Sequence, residues 1–233
     1  SYCSPYVKKT KSKKNSFTCY TKKQLKEIIK KWNKKSKKKD KIVISQKDTL
    51  KTLWTKINDK YKHKCDTEWC WINHTSKKYN WNDYNKQTTF KPSEPDGWES
   101  NPDEWLSNYD IRFVLKQYEL TYPTFRFIGP EPIDFSTKKN GECISKVICS
   151  LNIKDTLKKG KTKLGFVFNL DKHTGPGTHW VALFCDTKRK GIFFYDSYGI
   201  PPKSEIKIFI KKLIKEFKKQ NKIIKYDYNK NRH

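Results

Sequence analysis

Gly177-Thr-His179-Trp180-Val-Ala-Leu-Phe-Cys185-Asp186, followed by Thr187-Lys-Arg-Lys-Gly191-Ile-Phe-Phe-Tyr195-Asp196-Ser197, is the stretch whose reading decides the fold. Trp180 to Cys185 and Ile192 to Tyr195 are short runs of aliphatic and aromatic residues, the composition of strands. Asp186 to Gly191 between them carries the turn chemistry of a hairpin loop. With the loop centred between Thr187 and Lys188, antiparallel pairing sets His179 opposite Asp196. Directly opposed residues share a face, with Cβ atoms about 4.5–5.5 Å apart. A carboxylate there can hold an imidazole in one tautomer and stabilise its charged form, as an orienting acid does for a catalytic base. The same two residues are also what a solvated strand-end His and a turn Asp look like, and the pattern leaves both readings open.

Working outward, Leu164-Gly-Phe-Val-Phe-Asn-Leu170 is a fully apolar strand candidate leading to the hairpin. The loop from Asp171 to Thr178 holds Gly175-Pro176-Gly177, which makes its backbone tight just ahead of His179. Phe125 to Ile128 and Cys143 to Cys149 read as further strands, and Ile153 to Leu157 as a short helix. Beyond the hairpin, Pro201-Pro202 ends it and starts a helix whose buried stripe is Ile206, Ile210, Leu213, Ile214 and Phe217. Lys222 to Tyr226 is a last strand. Strands grouped with helices at the ends, without a regular βαβ alternation, predict an α+β fold with a mixed sheet and flanking helices.

Residues 121–233 form this core; ahead of it, 1–20 reads as a basic flexible arm and 21–120 as a helical N-terminal region. Thr21-x-x-Gln24 is a capping box, and Leu25, Ile28, Ile29 and Trp32 follow at helical spacing. Ser45-x-x-Asp48 is a candidate cap for a second helix bearing Leu50, Leu53, Trp54, Ile57 and Tyr61. Ser107-Asn-Tyr-Asp110 starts another, with Ile111, Val114, Leu115 and Tyr118 on one face. Phe90 to Trp105, interrupted by Pro and Trp, reads as an irregular strap. His63-Lys-Cys65-x4-Cys70-x3-His74 offers two thiols and two imidazoles, but irregular spacing and the flanking Trp69, Trp71 and Ile72 favour structural cysteines over zinc. No metal and no cofactor are expected.

The formal charge is +28, carried almost wholly by Lys, which attracts polyanions in a salt-dependent way. With only Arg112, Arg126, Arg189 and Arg232 to supply bidentate base contacts, sequence-specific DNA readout is excluded as the main activity. Seven Cys, an odd and widely spread set, predict reduced thiols rather than a secreted disulfide framework. No apolar run reaches the roughly 20 residues of a membrane span and no signal peptide opens the sequence, so a soluble, intracellular protein is expected. None of the seven thiols reads as a nucleophile. Cys185 lies six residues along a strand from His179, roughly 20 Å at ~3.3 Å per residue, and none opens a helix beside the motif.

Gly-Thr-His179-Trp180-Val-Ala-Leu-Phe, then Phe-Tyr-Asp196-Ser197-Tyr-Gly, resembles the His and acid segments of the adenain-like, papain-like and SUMO-deconjugating cysteine proteases. The form most similar is that of large nucleocytoplasmic DNA viruses such as African swine fever virus. The resemblance runs from roughly Cys65 onward and is specific at His179-Trp180 and Asp196. It implies His179 as general base, Asp196 as its orienting acid and Trp180 as a wall of a narrow substrate cleft. It also implies an oxyanion Gln and a nucleophilic Cys further on. This sequence ends at Arg232-His233, about where those two should begin, so the expectation is a chain incomplete as an enzyme. The implied function is a viral cysteine endopeptidase that cuts structural precursors after Gly-Gly, acts on viral polyprotein or capsid proteins, and is packaged in the virion at host cytoplasmic assembly sites. The alternatives are a catalytically incomplete minor capsid protein and, third, a non-specific module contacting nucleic acid or acidic protein surfaces.

Overall fold

The computed structural model describes residues 3–11, 16–75, 89–95, 97–98, 100–101 and 103–232. The chain divides into two units, Ser1–Glu104 and Trp105–His233. The boundary falls earlier than the residue 120 expected from sequence, because the helix Asn108–Thr121 packs on the first strand of the second unit.

The first unit contains α1 (Pro5–Thr10), α2 (Lys22–Lys35), α3 (Leu50–Tyr61) and α4 (Glu68–Thr75). The capping box at α2 forms: the Gln24 amide donates to Thr21 Oγ1 at 3.2 Å and the Thr21 amide to Gln24 Oε1 at 2.8 Å. Leu25 and Ile29 from α2 and Leu53, Ile57 and Tyr61 from α3 are buried around Trp71 of α4. Burying side chains of this size contributes about 1.5–3 kcal/mol each. Buried Glu68 accepts from the Cys19 amide (2.9 Å) and Trp54 Nε1 (2.6 Å), which satisfies a carboxylate that would otherwise be costly there.

Two expectations change here. The described part of residues 1–20 is ordered by local chemistry: Ser4 caps α1, Pro5 occupies its first turn, Cys3 is disulfide-bonded to Cys19, and Lys11 Nζ donates to the Tyr20 carbonyl at 2.7 Å. The cap of α3 is Thr49, whose hydroxyl accepts from the Thr52 amide at 3.1 Å. Asp48 instead closes a turn onto the Ser45 amide and pairs with Lys56 at 2.8 Å. The Phe90–Trp105 strap includes Asp96, Glu99 and Pro102, which lie outside the described residues.

The second unit is α+β, as expected. Its elements are α5 (Asn108–Thr121), β1 (Phe125–Pro132), β2 (Lys138–Lys139), β3 (Glu142–Cys143), α6 (Lys146–Cys149), α7 (Ile153–Lys158), β4 (Lys163–Asn169), β5 (Trp180–Asp186), β6 (Gly191–Tyr195), α8 (Ser204–Lys219) and β7 (Lys225–Tyr228). The main sheet runs β1-β4-β5-β6-β7, parallel at both outer pairs and antiparallel in the middle. Alternation along β4 and β5 buries Leu164, Phe166, Phe168, Val181, Leu183 and Cys185 on one face. Ile206, Phe209, Ile210, Leu213 and Phe217 of α8 share their core cluster.

The strand predicted over 143–149 is instead two residues of β3 and the short helix α6, because the Ser145 hydroxyl accepts from the Ile148 amide at 3.1 Å and turns the chain. The last strand is Lys225–Tyr228 rather than 222–226, since the end of α8 occupies the earlier residues: the Lys222 amide still donates to the Phe217 carbonyl at 3.0 Å. Among the described residues no helix is long and apolar enough to cross a membrane.

Candidate active site

The hairpin forms with a register two residues away from that expected. Ala182 faces Tyr195 and Asp186 faces Gly191, so the loop has four residues, Thr187 to Lys190. Asp186 sets this length: its Oδ1 accepts from the amides of Lys188 (3.0 Å) and Arg189 (3.1 Å), and Lys190 takes the left-handed conformation at φ 57°. Continued toward the loop's far end, this register brings His179 across from Tyr198, and their rings lie 4.9 Å apart. Asp196 is then diagonal to His179, on the same face.

The two side chains nevertheless meet. His179 Nε2 is 2.8 Å from Asp196 Oδ1, with Asp196 2% and His179 24% exposed in their side chains. An ionised carboxylate needs a proton on Nε2, which leaves the lone pair of Nδ1 as the atom free to take a proton. Asp196 is itself held on all sides. Its amide donates to Asn229 Oδ1 (2.9 Å), its carbonyl accepts from Asn229 Nδ2 (2.6 Å), and its Oδ1 also accepts from the Tyr198 amide (2.9 Å). The Gly199 amide closes the turn onto the Asp196 carbonyl at 2.9 Å. Gly199 has φ +72°, and a Cβ there would stand 2.8 Å from the Asn231 backbone, so this position requires glycine. Past Asn231, the Arg232 guanidinium lies 5.3 Å over the Tyr198 ring.

Trp180 follows His179 and points to the opposite sheet face, where its Nε1 donates to the Leu106 carbonyl at 3.0 Å. It lines a cleft of about 550 Å³ together with Trp105, Pro130, Ile144, His173 and Pro176. The wall of this cleft from Asp171 to Thr178 is tied down polar group by polar group. Asp134 receives the His173 amide on Oδ1 (2.9 Å) and its Nδ1 on Oδ2 (2.6 Å). Asp171 Oδ2 receives the Gly177 amide at 3.1 Å, and Asn169 Oδ1 receives the Thr178 amide at 3.1 Å. Burial alone would raise the Asp134 carboxyl, but the His173 hydrogen bonds outweigh it and hold the group below its ordinary value.

The cysteines are where the sequence reading fails most. Six of the seven are paired, as Cys3–Cys19, Cys65–Cys70 and Cys143–Cys149. The expected reduced state followed from their odd number and wide spread, but Cys65–Cys70 and Cys143–Cys149 close short segments of five and six residues, and Cys3 meets Cys19 across 16. The free thiol, Cys185, is 1% exposed on β5, and burial pushes it far above the ordinary thiol range. A buried neutral thiol is not a nucleophile. Asn229 and the Asp134–His173 pair were not singled out from sequence, and Tyr198 lay in the quoted Asp196-Ser197-Tyr-Gly segment without a role; Asn229, 33 residues past Asp196, carried no local signal. Cys65, Cys70 and His74 place their ligand atoms within 4.8 Å of one another.

The His–acid pair at adjoining strand ends can now be set against known proteins. No family model matches the chain. It is 35% identical over 148 residues to R355 of Acanthamoeba polyphaga mimivirus, a protein named as a thiol protease, covering 61% of this chain and 45% of that protein. It is 29% identical over 171 residues to the cysteine protease S273R of African swine fever virus, covering 67% of this chain and 61% of that one. The chain is thus similar to two viral proteins named as thiol and cysteine proteases. It matches about half to three fifths of the length of these two. Among solved structures, the African swine fever virus pS273R protease aligns over 98% of this chain and 76% of its own, at TM-score 0.47 and 20% identity. The SUMO protease Ulp1 aligns over 55% of this chain and 57% of its own, at TM-score 0.38 and 19% identity.

Proposed function

We propose that the chain carries the base and the orienting acid of a viral cysteine endopeptidase of the adenain and SUMO-protease type. The observation that carries this is the 2.8 Å contact between His179 Nε2 and Asp196 Oδ1, with the acid fixed by Asn229. His179 takes the proton of a thiol through Nδ1 and later returns it to the leaving amine. Asp196 keeps the imidazole oriented and stabilises its charged form without itself taking the proton. With six cysteines paired and Cys185 buried, the nucleophile and an oxyanion donor are supplied by residues outside this sequence. The substrate groove passes Trp180 on its way to His179, and the Gly175-Pro176-Gly177 segment next to Trp180 suits small residues such as Gly-Gly before the cut bond. Viral structural precursors are the substrates, and the virion is the place of action.

The test compares this 233-residue chain with a longer native chain on one Gly-Gly-X peptide, at neutral pH under reducing conditions. The longer chain cleaves and the 233-residue chain does not. In the longer chain His179→Ala lowers kcat/KM by on the order of 10⁴-fold or more and Asp196→Asn by less. Equal cleavage by both lengths would place the nucleophile among these seven cysteines and overturn the assignment. A structural virion role is the second reading, favoured by the lack of an accessible thiol among the described residues, and absence of cleavage by either length selects it. A cleft of about 640 Å³ in the first unit, edged by Lys35, Lys37, Lys39, Lys60 and Lys64, supports contact of either form with polyanions.

A further inference from the structure

Cys70 and His74 stand four residues apart on α4 and so share one face of that helix. Cys65 precedes α4 and is fixed by its amide, which donates to the Tyr61 carbonyl at the end of α3 at 2.9 Å. The two sulfurs and one imidazole nitrogen all lie within 4.8 Å of one another. Tetrahedral zinc, with bonds of about 2.3 Å to sulfur and 2.0–2.1 Å to nitrogen, needs its ligand atoms roughly 3.5–3.8 Å apart, a spacing inside the 4.8 Å that encloses these three. Cys65 is 7% exposed beside fully buried Tyr61, and the His74 ring lies 6.3 Å from the Tyr61 ring, so the group sits on an apolar floor with His74 at its rim. His63, the other imidazole of the sequence motif, is not in the group. Among the described residues, neither the Cys3–Cys19 pair nor the Cys143–Cys149 pair belongs to a group of three metal ligands. One cysteine pair of three has an imidazole within reach, and that pair spans the junction of two helices.

We propose that Cys65, Cys70 and His74 form a zinc site that is open when the Cys65–Cys70 bond is reduced and closed when it is formed. The sequence reading favoured structural cysteines, and the disulfide agrees with it; a zinc site in the reduced state, with His74 on the face of Cys70, is what the proposal adds. A dithiol, or a phosphine with water, delivers two electrons and two protons to the disulfide and leaves two thiols, itself becoming the disulfide or the phosphine oxide. Zinc then binds both thiolates and the neutral His74 nitrogen, releasing the two thiol protons to solvent, with water at the fourth position. The ion replaces the disulfide as the staple between the end of α3 and α4, so the junction stays closed in either redox state. Soft thiolate ligands with one imidazole select zinc over magnesium or calcium.

The test uses the full chain, reduced with a phosphine, desalted without oxygen and given zinc ion alone. The reduced chain retains one zinc after a second desalting and the oxidised chain retains none. Cobalt(II) in place of zinc gives the sulfur-to-metal charge-transfer and intense visible bands of a tetrahedral thiolate site. His74 is exposed, so His74→Ala leaves the fold intact; it weakens zinc binding by more than the about 10–100-fold typical of outer-shell partners. The double variant Cys143→Ser, Cys149→Ser still retains one zinc. No retained zinc in the reduced chain, a cobalt spectrum without sulfur ligation, or unchanged affinity in His74→Ala overturns the proposal. So does loss of zinc on replacing Cys143 and Cys149.

Discussion

Asn229→Ala tests how the candidate site is held. Asn229 is 8% exposed and spans Asp196 with both ends of its amide, accepting the Asp196 N–H at 2.9 Å and donating to its carbonyl at 2.6 Å. It also donates to the Asn231 carbonyl at 3.1 Å. The Asp196 carbonyl keeps a second partner in the Gly199 amide, but among the described residues no other acceptor meets the Asp196 N–H, and the residue is 2% exposed. Truncation therefore strands a buried donor, at about 1–3 kcal/mol, and removes further hydrogen bonds worth about 0.5–1.5 kcal/mol net each. The expected loss is about 2–6 kcal/mol for the turn. Amide hydrogen exchange reads it directly: at about 1.4 kcal/mol per tenfold, exchange at Asp196 speeds up by roughly 30-fold to about 10⁴-fold, while Leu164 and Phe166 in β4 change little. Asn229→Asp keeps the acceptor and sets a carboxylate oxygen against the Asp196 carbonyl, so it is no rescue. An Asp196 amide as protected in Asn229→Ala as in the parent would refute the claim that β7 anchors the acid.

Two further perturbations read other parts of the molecule. Burial pushes the Tyr61 phenol up to about 12, above its ordinary value near 10. A raised phenol stabilises the fold fully below pH 10 and loses that contribution as pH climbs to about 12, a loss of up to roughly 2–3 kcal/mol at 1.36 kcal/mol per pH unit. In alkaline unfolding of the first unit, Tyr61→Phe should therefore lose less stability between pH 9 and pH 12 than the parent, and parallel curves would contradict it. Gly199→Ala puts a Cβ at φ +72° and 2.8 Å from the Asn231 backbone, and should cost about 2 kcal/mol or more in urea unfolding of the second unit. Parent-like stability would mean that the Asp196 turn is not constrained by the segment beneath it.

The hairpin was legible for a reason that tolerates error. Side chains alternate with period two, so slipping a register by one residue would have turned His179 away from Asp196, whereas a slip of two keeps both on one face. Sequence placed the loop centre one residue early, which moves the pairing by two, and the imidazole reaches diagonally to the acid instead of straight across. Helices α2 and α5 were legible because their signals are local: Thr21 with Gln24, and Ser107 with Asp110, cap from within four residues. The cysteine pairs and the 143–149 segment were not, for opposite reasons. Pairing depends on how local turns aim the thiols, which composition does not encode, while the Glu-Cys-Ile-Ser-Lys-Val-Ile-Cys run has strand-like composition that one buried Ser145 hydroxyl overrides.

Asn229 shows what a motif cannot carry. His179, Trp180 and Asp196 are read from twenty consecutive residues, but the group that fixes Asp196 arrives 33 residues later. It reaches the site because β7 pairs parallel to β6, Ile192 against Tyr226 and Phe194 against Tyr228, which leaves the next residue alongside Asp196. A parallel neighbour needs a crossover, here α8, and α8 stays on the sheet through Phe209, Leu213 and Phe217. The geometry of the acid thus rests also on the packing of the helix that joins β6 to β7. A cavity made in that helix's stripe loosens β7 first and the His179–Asp196 contact through it, whereas the exposed lysines of α8 bear on charge alone.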